Sequence, residues 1–221
     1  MGGLGWYPGG YVQVLEGVHL IRGGVSNVYL VRTPGGYVLV DAGTPSDPPR
    51  VLSYISQLGL EPSAIKFVLL THSHWDHAGG LRELVLRTGA RVAAHRDEVS
   101  YVRSGRGRYE GVEVDVMLED GDEVLGLRAV HTPGHTPGST CYLEPSRRAL
   151  FVGDLVYEEG GALHEMLHKY SEDPWMNRRS VAKLLKYEFA HVLPSHGSPV
   201  LDYGREALSN LLRELGLQPE P

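Results

Sequence analysis

Short apolar runs separated by glycine-rich turns open the chain. The runs are rich in Val, Leu and Tyr, and they cover residues 11–15, 18–21, 25–32 and 37–41. The turn Thr33-Pro34-Gly35-Gly36 separates the last two runs and is built from residue types that favour chain reversal. Apolar runs of this length, bounded by such turns, predict a meander of β-strands.

Amphipathic segments alternate with further short strands in the rest of the chain. Apolar residues recur at helical spacing in residues 48–58, where Pro48 suits the first turn of a helix and Gly59 suits its end. Further helices are predicted at residues 81–87, 97–103, 174–189 and 204–215, and further strands at residues 66–70, 91–94, 112–118, 123–131, 139–143, 149–152 and 191–193. Residues 155–173 show no clear period, so we predict a long loop there.

The order of these elements predicts the architecture. Strands and helices alternate twice, in a strand-rich half followed by a mixed half. Two sheets packed together, with helices outside, would bury the apolar faces of these elements. Because no linker or low-complexity segment divides the chain, we predict that residues 1–221 form a single domain.

The motif His72-x-His74-x-Asp76-His77 directly follows a predicted buried strand. Side chains two residues apart on an extended segment point to the same side, so His72 and His74 can converge on one cation. Once the chain turns, Asp76 and His77 can address a second position. Zinc accepts imidazole and carboxylate ligands at about 2.0–2.2 Å. The motif therefore predicts a metal site.

Four more His and Asp residues stand where the chain leaves a predicted strand. Asp41, Asp154 and His196 follow strands closely, and His135 lies in a turn-rich segment between two strands. In layered α/β proteins, functional groups gather at the carboxyl ends of strands. We therefore expect these four side chains to belong to the same site as the motif.

On these residues the chain resembles the metallo-β-lactamase superfamily. The resemblance extends from Asp41 to His196, and it includes the histidine motif, its separately spaced partners, and the small residues Gly79 and Gly80 that follow the motif. It implies an α+β fold, a four-layer αββα sandwich of two mixed β-sheets with helices on the outer faces. It also places a metal site at one rim of that sandwich.

The resemblance implies a role for each candidate residue. Three histidines would bind a first metal ion, one aspartate and two histidines a second, and another aspartate would bridge them. The first set is His72, His74 and His135, the second is Asp76, His77 and His196, and the bridging residue is Asp154. Asp41 would orient one of these ligands from behind. The implied cofactor is two zinc ions per chain, with iron or manganese as the alternative.

The implied activity is that of a dinuclear zinc hydrolase. A metal-bridging hydroxide would attack the substrate, and Asp76 would also orient that hydroxide. We expect the substrate to be an ester, thioester or lactone in a small molecule. The alternatives are a β-lactamase or phosphodiesterase activity, an iron-dependent redox enzyme similar to persulfide dioxygenases, and a catalytically silent binding module.

Two further groups of residues are candidates for substrate contacts. Trp75 lies within the motif, where a plain packing role is the alternative. The predicted loop at 155–173 supplies four more candidates, with an exposed irregular loop as the alternative. These four are Tyr157, His164, His168 and Tyr170.

The arginines at 103, 106 and 108 alternate with small residues in the stretch Arg103-Ser104-Gly105-Arg106-Gly107-Arg108. We interpret this stretch as a solvated loop, and the alternative is an anion-binding patch.

Composition limits the choice of partners. The formal net charge of −6 argues against a dedicated nucleic-acid partner, which would need a basic face. No apolar stretch approaches the roughly 18 residues of a membrane span, and the first residues lack the features of a secretory signal, so we expect a cytoplasmic location without a membrane partner. The expected partner is a small-molecule substrate, and a homodimer rests only on the general frequency of dimers.

Overall fold

The computed structural model describes residues 10–217, which form fourteen β-strands and six α-helices. These elements divide into two units. Unit 1 comprises the described residues up to Ala94 together with Val99–Met117, and unit 2 comprises His95–Glu98 and the described residues from Leu118 onward. The single domain spanning 1–221 remains a prediction. The first residues, for which we predicted no secretory signal, lie outside the described part of the chain.

The first β-sheet contains seven strands in sequence order. They are β1 (Tyr11–Leu15), β2 (Val18–Arg22), β3 (Asn27–Thr33), β4 (Gly36–Val40), β5 (Ile65–Leu69), β6 (Arg91–His95) and β7 (Val116–Leu118). The first four strands pair antiparallel, as the predicted meander requires, whereas β5 pairs parallel with both β4 and β6. The sheet is therefore mixed, and helical segments connect its parallel strands.

Helices contribute apolar faces to the core of unit 1. They are α1 (Pro48–Gln57), α2 (Trp75–Ala78), α3 (Leu81–Thr88) and α4 (Val99–Ser104). Val51 and Ile55, one turn apart on α1, join Leu84 of α3 in a fully buried cluster with strand residues such as Leu39 and Val68. Burying each such side chain contributes about 1.5–3 kcal/mol, which offsets the entropy lost on ordering the segment.

The strands of unit 2 form a second mixed sheet and a separate hairpin. They are β8 (Glu123–Val124), β9 (Leu127–His131), β10 (Thr140–Glu144), β11 (Ala149–Gly153), β12 (Val156–Glu159), β13 (Ala162–Glu165) and β14 (His191–Pro194). The sheet order is β14-β11-β10-β9-β8, in which only β11 and β14 run parallel. Helices α5 (Pro174–Leu184) and α6 (Gly204–Glu214) bury residues such as Val181 and Leu208 in its core. The prediction of an α+β fold with two mixed sheets and helices is confirmed.

The predicted long loop at 155–173 is wrong, because half of it is the β12–β13 hairpin. Val156 and Leu163 are buried while most of their neighbours are at least partly exposed. The strands are joined through Gly160 and Gly161, both with positive φ, at 63° and 87°. Two consecutive left-handed residues match the twist of a tight hairpin, and a Gly-Gly pair adopts them without steric cost.

Several other elements have boundaries that differ from the predicted ones. The predicted strand at 123–131 is interrupted between β8 and β9, since Leu125 and Gly126 have positive φ of 50° and 88° and reverse the chain. The predicted helix at 174–189 ends with Leu184. The strand predicted at 112–118 forms only over its last three residues, in β7.

Within residues 10–217, no helix is both long enough and apolar enough to cross a membrane.

A glycine next to a predicted ligand is held in contact with a helix of unit 2. Gly134 has φ of +136°, and its carbonyl oxygen accepts a hydrogen bond of 2.8 Å from the backbone N–H of Asp173. Asp173 caps α5 by accepting from the N–H of Met176 at 2.8 Å. A Cβ on Gly134 would lie 2.1 Å from the backbone nitrogen of Asn177, also on α5. The backbone before His135 can therefore pack here only as glycine.

We expect Gly134→Ala to lower the free energy of unfolding by about 3 kcal/mol, because the added Cβ both clashes with α5 and strains the backbone. Urea titration measures this loss. Gly59→Ala is the matched control, since Gly59 has φ of +70° and a Cβ added there would meet no atom within 4 Å. This control should cost about 1 kcal/mol. Equal losses in the two variants would contradict the packing argument.

Candidate metal centre

The histidine motif lies where the chain leaves the buried end of β5. Residues beyond Leu69 stay outside regular structure until α2 begins at Trp75. His74 precedes α2 with extended backbone angles, φ −66° and ψ 154°. This backbone path lets His72 and His74 point to the same side, as predicted for an extended segment.

The first two histidines converge at their ring nitrogens. His72 Nε2 and His74 Nδ1 lie 3.1 Å apart, with the two rings nearly perpendicular at 86°. Two nitrogens bound to one zinc ion at about 2.0–2.1 Å in tetrahedral geometry would lie roughly 3.3 Å apart. The spacing therefore fits two ligands of a single cation.

The next two motif residues converge in the same way. His77 Nε2 lies 3.5 Å from Asp76 Oδ2, and the His77 side chain is completely buried. The His72 and His77 rings are also close, with centroids 4.0 Å apart. The short helix α2 thus places a carboxylate and an imidazole beside the first pair.

Asp41 fixes the orientation of His77. It follows β4, which runs parallel to β5, so both strands end at the same edge of the sheet. Asp41 Oδ2 lies 2.9 Å from His77 Nδ1, and Oδ1 accepts a hydrogen bond of 2.8 Å from the Thr71 backbone N–H. Because Asp41 is 1% exposed, its carboxylate has lost its contacts with water, and these hydrogen bonds replace them. With Nδ1 held in this way, Nε2 is the atom that His77 can offer to a metal.

Thr71 is a residue of this site that sequence reasoning did not single out. Its hydroxyl lies 2.8 Å from Asp41 Oδ2 and 3.1 Å from His72 Nδ1. Thr71 therefore connects the orienting carboxylate to the first histidine. Its position directly before the motif was the available signal, but a threonine at the end of a strand is too common to identify a role.

Unit 2 brings together the other three predicted ligands. Asp154 Oδ2 lies 3.5 Å from His135 Nε2, and Asp154 Oδ1 lies 3.2 Å from His196 Nε2. Each carboxylate oxygen thus faces a different histidine, which is the arrangement needed for a bridging ligand. His135 and Asp154 are buried, and the His196 side chain is 27% exposed.

Strand pairing explains this second convergence. Asp154 directly follows β11 and His196 comes two residues after β14, and these two strands run parallel side by side. Their carboxyl ends therefore lie at one edge of the second sheet. His135 arrives from the β9–β10 connection, where its carbonyl oxygen accepts a 3.1 Å hydrogen bond from the Glu172 N–H.

The chemistry of these donors fits a divalent transition metal. Unit 1 offers three imidazoles and a carboxylate, and unit 2 offers two imidazoles and a carboxylate. Nitrogen and carboxylate oxygen ligands of this kind suit zinc, and they also suit iron and manganese.

A further group in unit 2 comprises His95, Asp97 and His131. The two rings stack in parallel, with centroids 3.8 Å apart and 9° between their planes. Parallel rings direct their lone pairs into separate planes, so the stack suits packing better than ligation. Burial, assisted by His131, lowers the pKa of His95 to about 4, and His95 is therefore neutral at pH 7. The stacked rings and the neutral His95 favour a structural role for this group.

The predicted substrate contacts are distributed over several environments. Trp75 is half-buried within the motif. Tyr157 and His164 face each other across the β12–β13 hairpin, with ring centroids 5.3 Å apart. His168 is exposed and lies 3.2 Å from Glu165, whereas Tyr170 is 55% exposed. Of the four candidates from the 155–173 segment, Tyr157 and His164 therefore contact each other. The role of all five candidates in substrate binding stays a prediction.

Comparison with known proteins identifies the relatives of this chain. The profile of the Metallo-beta-lactamase superfamily matches residues 21–196. A beta-lactamase-like protein 2 homolog from Caenorhabditis elegans is 30% identical over 181 residues, which cover 80% of this chain and 57% of the relative. An atrochrysone carboxyl ACP thioesterase from Aspergillus fumigatus is 31% identical, covering 86% of this chain and 41% of the relative. The chain thus spans about half the length of these curated relatives.

A solved structure shares the fold. A metallo-beta-lactamase family protein from Thermus thermophilus superposes with a TM-score of 0.75 and 24% identity, covering 92% of this chain and 81% of that protein. The resemblance inferred from the motif is confirmed by these matches. The chain therefore belongs to the metallo-β-lactamase superfamily.

Proposed function

We propose that this protein is a dinuclear zinc hydrolase that cleaves an ester, thioester or lactone in a small molecule. The observation that carries the proposal is the convergence of nitrogen and carboxylate donors in each unit, with Asp41 fixing the orientation of His77 from behind. A hydrolase that uses metals needs such a preorganised donor set. The proposed partner is a small-molecule substrate.

The family resemblance supplies the proposed ligand assignment. His72, His74 and His135 would hold one ion, with Asp76, His77 and His196 holding the other and Asp154 shared between the two. When bound, a divalent metal lowers the pKa of a water molecule and polarises the carbonyl group under attack.

Individual side chains of the candidate metal centre have distinct tasks in this proposal. Asp41 keeps the proton of His77 on Nδ1 and thereby keeps Nε2 available as a ligand. Asp76 is half-buried and carries a carboxylate oxygen beside that nitrogen, where it would orient the attacking water by accepting a hydrogen bond. Of the two histidines proposed as ligands in unit 2, His196 is more exposed than His135, so substrate would approach from the side of His196.

The choice of an acyl substrate is supported by the relatives. One relative is named an atrochrysone carboxyl ACP thioesterase, and the chain spans 41% of its length. Esters, thioesters and lactones share an electrophilic carbonyl group, so one site can attack all three. β-Lactams and phosphodiesters are the competing substrate classes.

A substrate panel tests the proposed reaction. We expect the zinc-loaded protein to hydrolyse at least one ester, thioester or lactone faster than a β-lactam or a phosphodiester. Asp76→Ala should lower kcat/KM on that substrate by at least about 100-fold, since it removes both a ligand and the group that orients water. Asp97→Ala, which removes an exposed carboxylate outside the seven ligands, should change it less than twofold. Equal rates for wild type and Asp76→Ala on every substrate would contradict the proposal.

Metal analysis tests the cofactor independently of any substrate. Protein stripped with a chelator and then dialysed against zinc should bind about two ions per chain, and its melting temperature should rise because metal binds the folded state preferentially. Elemental analysis and calorimetry give the stoichiometry and the shift. A coloured protein that takes up iron in preference to zinc and consumes oxygen would support the redox alternative instead.

The orienting role of Asp41 predicts a selective loss of metal affinity. Asp41→Asn keeps the size of the side chain but removes its charge, and we expect zinc affinity at the site of His77 to fall about 10- to 100-fold. The control is Asp115→Asn, because Asp115 also accepts a backbone N–H hydrogen bond in unit 1, from Val92 at 2.7 Å, without touching the motif. Competition with a chromophoric chelator measures both affinities. A similar loss in both variants would show that the effect is general destabilisation.

A further inference from the structure

A short loop after α4 carries two arginines in a constrained backbone. We call residues 105–109 the arginine loop. Gly105, Arg106 and Gly107 all have positive φ, at 63°, 48° and 67°. Glycine adopts this conformation freely, but a left-handed backbone is unfavourable for arginine. Contacts elsewhere must therefore hold Arg106 in place.

These contacts are made to the histidine motif. Arg106 Nε donates a 2.8 Å hydrogen bond to the Ser73 hydroxyl, and the Tyr109 hydroxyl donates one of 3.0 Å to the Ser73 carbonyl oxygen. The Arg106 guanidinium also lies 4.0 Å from the ring centroid of Tyr101. Ser73 is buried, and in the sequence it stands between the converging residues His72 and His74. The arginine loop is thus fastened to the backbone that presents the metal ligands.

Arg108 lies between Arg106 and Tyr109, which contact Ser73, and its own side chain is exposed. Its guanidinium carbon lies 5.2 Å from the ring centroid of Trp75, which stands between His74 and Asp76. The Trp75 ring attracts the flat guanidinium by a cation–π interaction and restricts the Arg108 side chain. Less conformational entropy is then lost when Arg108 binds a ligand. Arg108 therefore presents a positioned positive charge next to the motif.

Nearby acidic side chains are paired with other arginines. Glu110 pairs with Arg82 at 2.9 Å, and Glu113 pairs with Arg103 at 2.7 Å. Among the described residues, none forms an ion pair with Arg108. A guanidinium keeps its charge at any physiological pH, and its planar donors match the two oxygens of a carboxylate.

We propose that Arg108 binds a carboxylate carried by the substrate, so that the preferred substrates are esters, thioesters or lactones with a free carboxylate group. This inference rests on the proposed function and narrows its substrate class. It develops the anion-binding alternative for the arginine run, on contacts to Ser73 and Trp75 that the sequence alone does not show.

Matched variants and matched substrates test the proposal. Arg108→Gln and Arg103→Gln each remove one positive charge from the same run, but only Arg108 lies over Trp75. The substrates are the mono-thioester of adipic acid with N-acetylcysteamine and the same thioester with its free carboxylate converted to an amide. Arg108→Gln should raise KM for the charged thioester about tenfold and change KM for the amide less than twofold. Arg103→Gln should change neither by more than twofold.

The salt dependence gives a second kinetic readout. The preference of the wild-type protein for the charged thioester should weaken between low salt and about 0.5 M salt, because an exposed ion pair is screened. Equal effects of Arg108→Gln on the charged and neutral substrates, or equal effects of the two variants, would overturn the proposal.

A binding measurement separates this inference from the proposed function. Calorimetry of zinc-loaded protein with 6-mercaptohexanoate and with its amide compares an anionic and a neutral thiol that ligate zinc alike. Wild type and Arg103→Gln should bind the anionic thiol more tightly than its amide. In Arg108→Gln the ratio of the two dissociation constants should fall about tenfold. If no ester, thioester or lactone is hydrolysed but this preference is found, the proposed function fails and the carboxylate site stands. If wild type shows no preference, whether both thiols bind or neither does, the carboxylate site is overturned.

Discussion

Parallel pairing of neighbouring strands is the constraint on which the candidate metal centre depends. In the first sheet β4 and β5 run parallel, so Asp41 and the histidine motif leave the same edge. In the second sheet β11 and β14 run parallel, and Asp154 and His196 leave a common edge in the same way. Side chains separated by tens of residues thus meet without any long irregular segment to position them.

Burial turns this placement into a rigid donor set. A carboxylate as inaccessible as Asp41 is stable only if its lost hydration is replaced, and the contacts to Thr71 and His77 replace it. The same contacts fix which nitrogen of His77 faces outward. Thr71 extends the network to His72, so the orientation of two motif histidines depends on one buried charge. We therefore expect a change at Asp41 to affect both stability and metal affinity.

Much of the fold and the candidate ligands could be predicted because their signals are local. Strand runs, the helix faces and the spacing of the motif are all encoded within a few residues. The β12–β13 hairpin was missed because its strands are short and only Val156 and Leu163 are buried, although Gly160-Gly161 was a usable turn signal. The place of Arg108 beside Trp75 could not be predicted, since it depends on contacts between segments more than thirty residues apart.

The central claim is that the seven His and Asp side chains hold a pair of metal ions. Anomalous diffraction from crystals of the zinc-loaded protein, recorded on both sides of the zinc absorption edge, tests it most directly. We predict two anomalous peaks per chain, coordinated by His72, His74, His135, Asp76, His77, Asp154 and His196. Crystals without such peaks, or with zinc bound only to other side chains, would contradict this account.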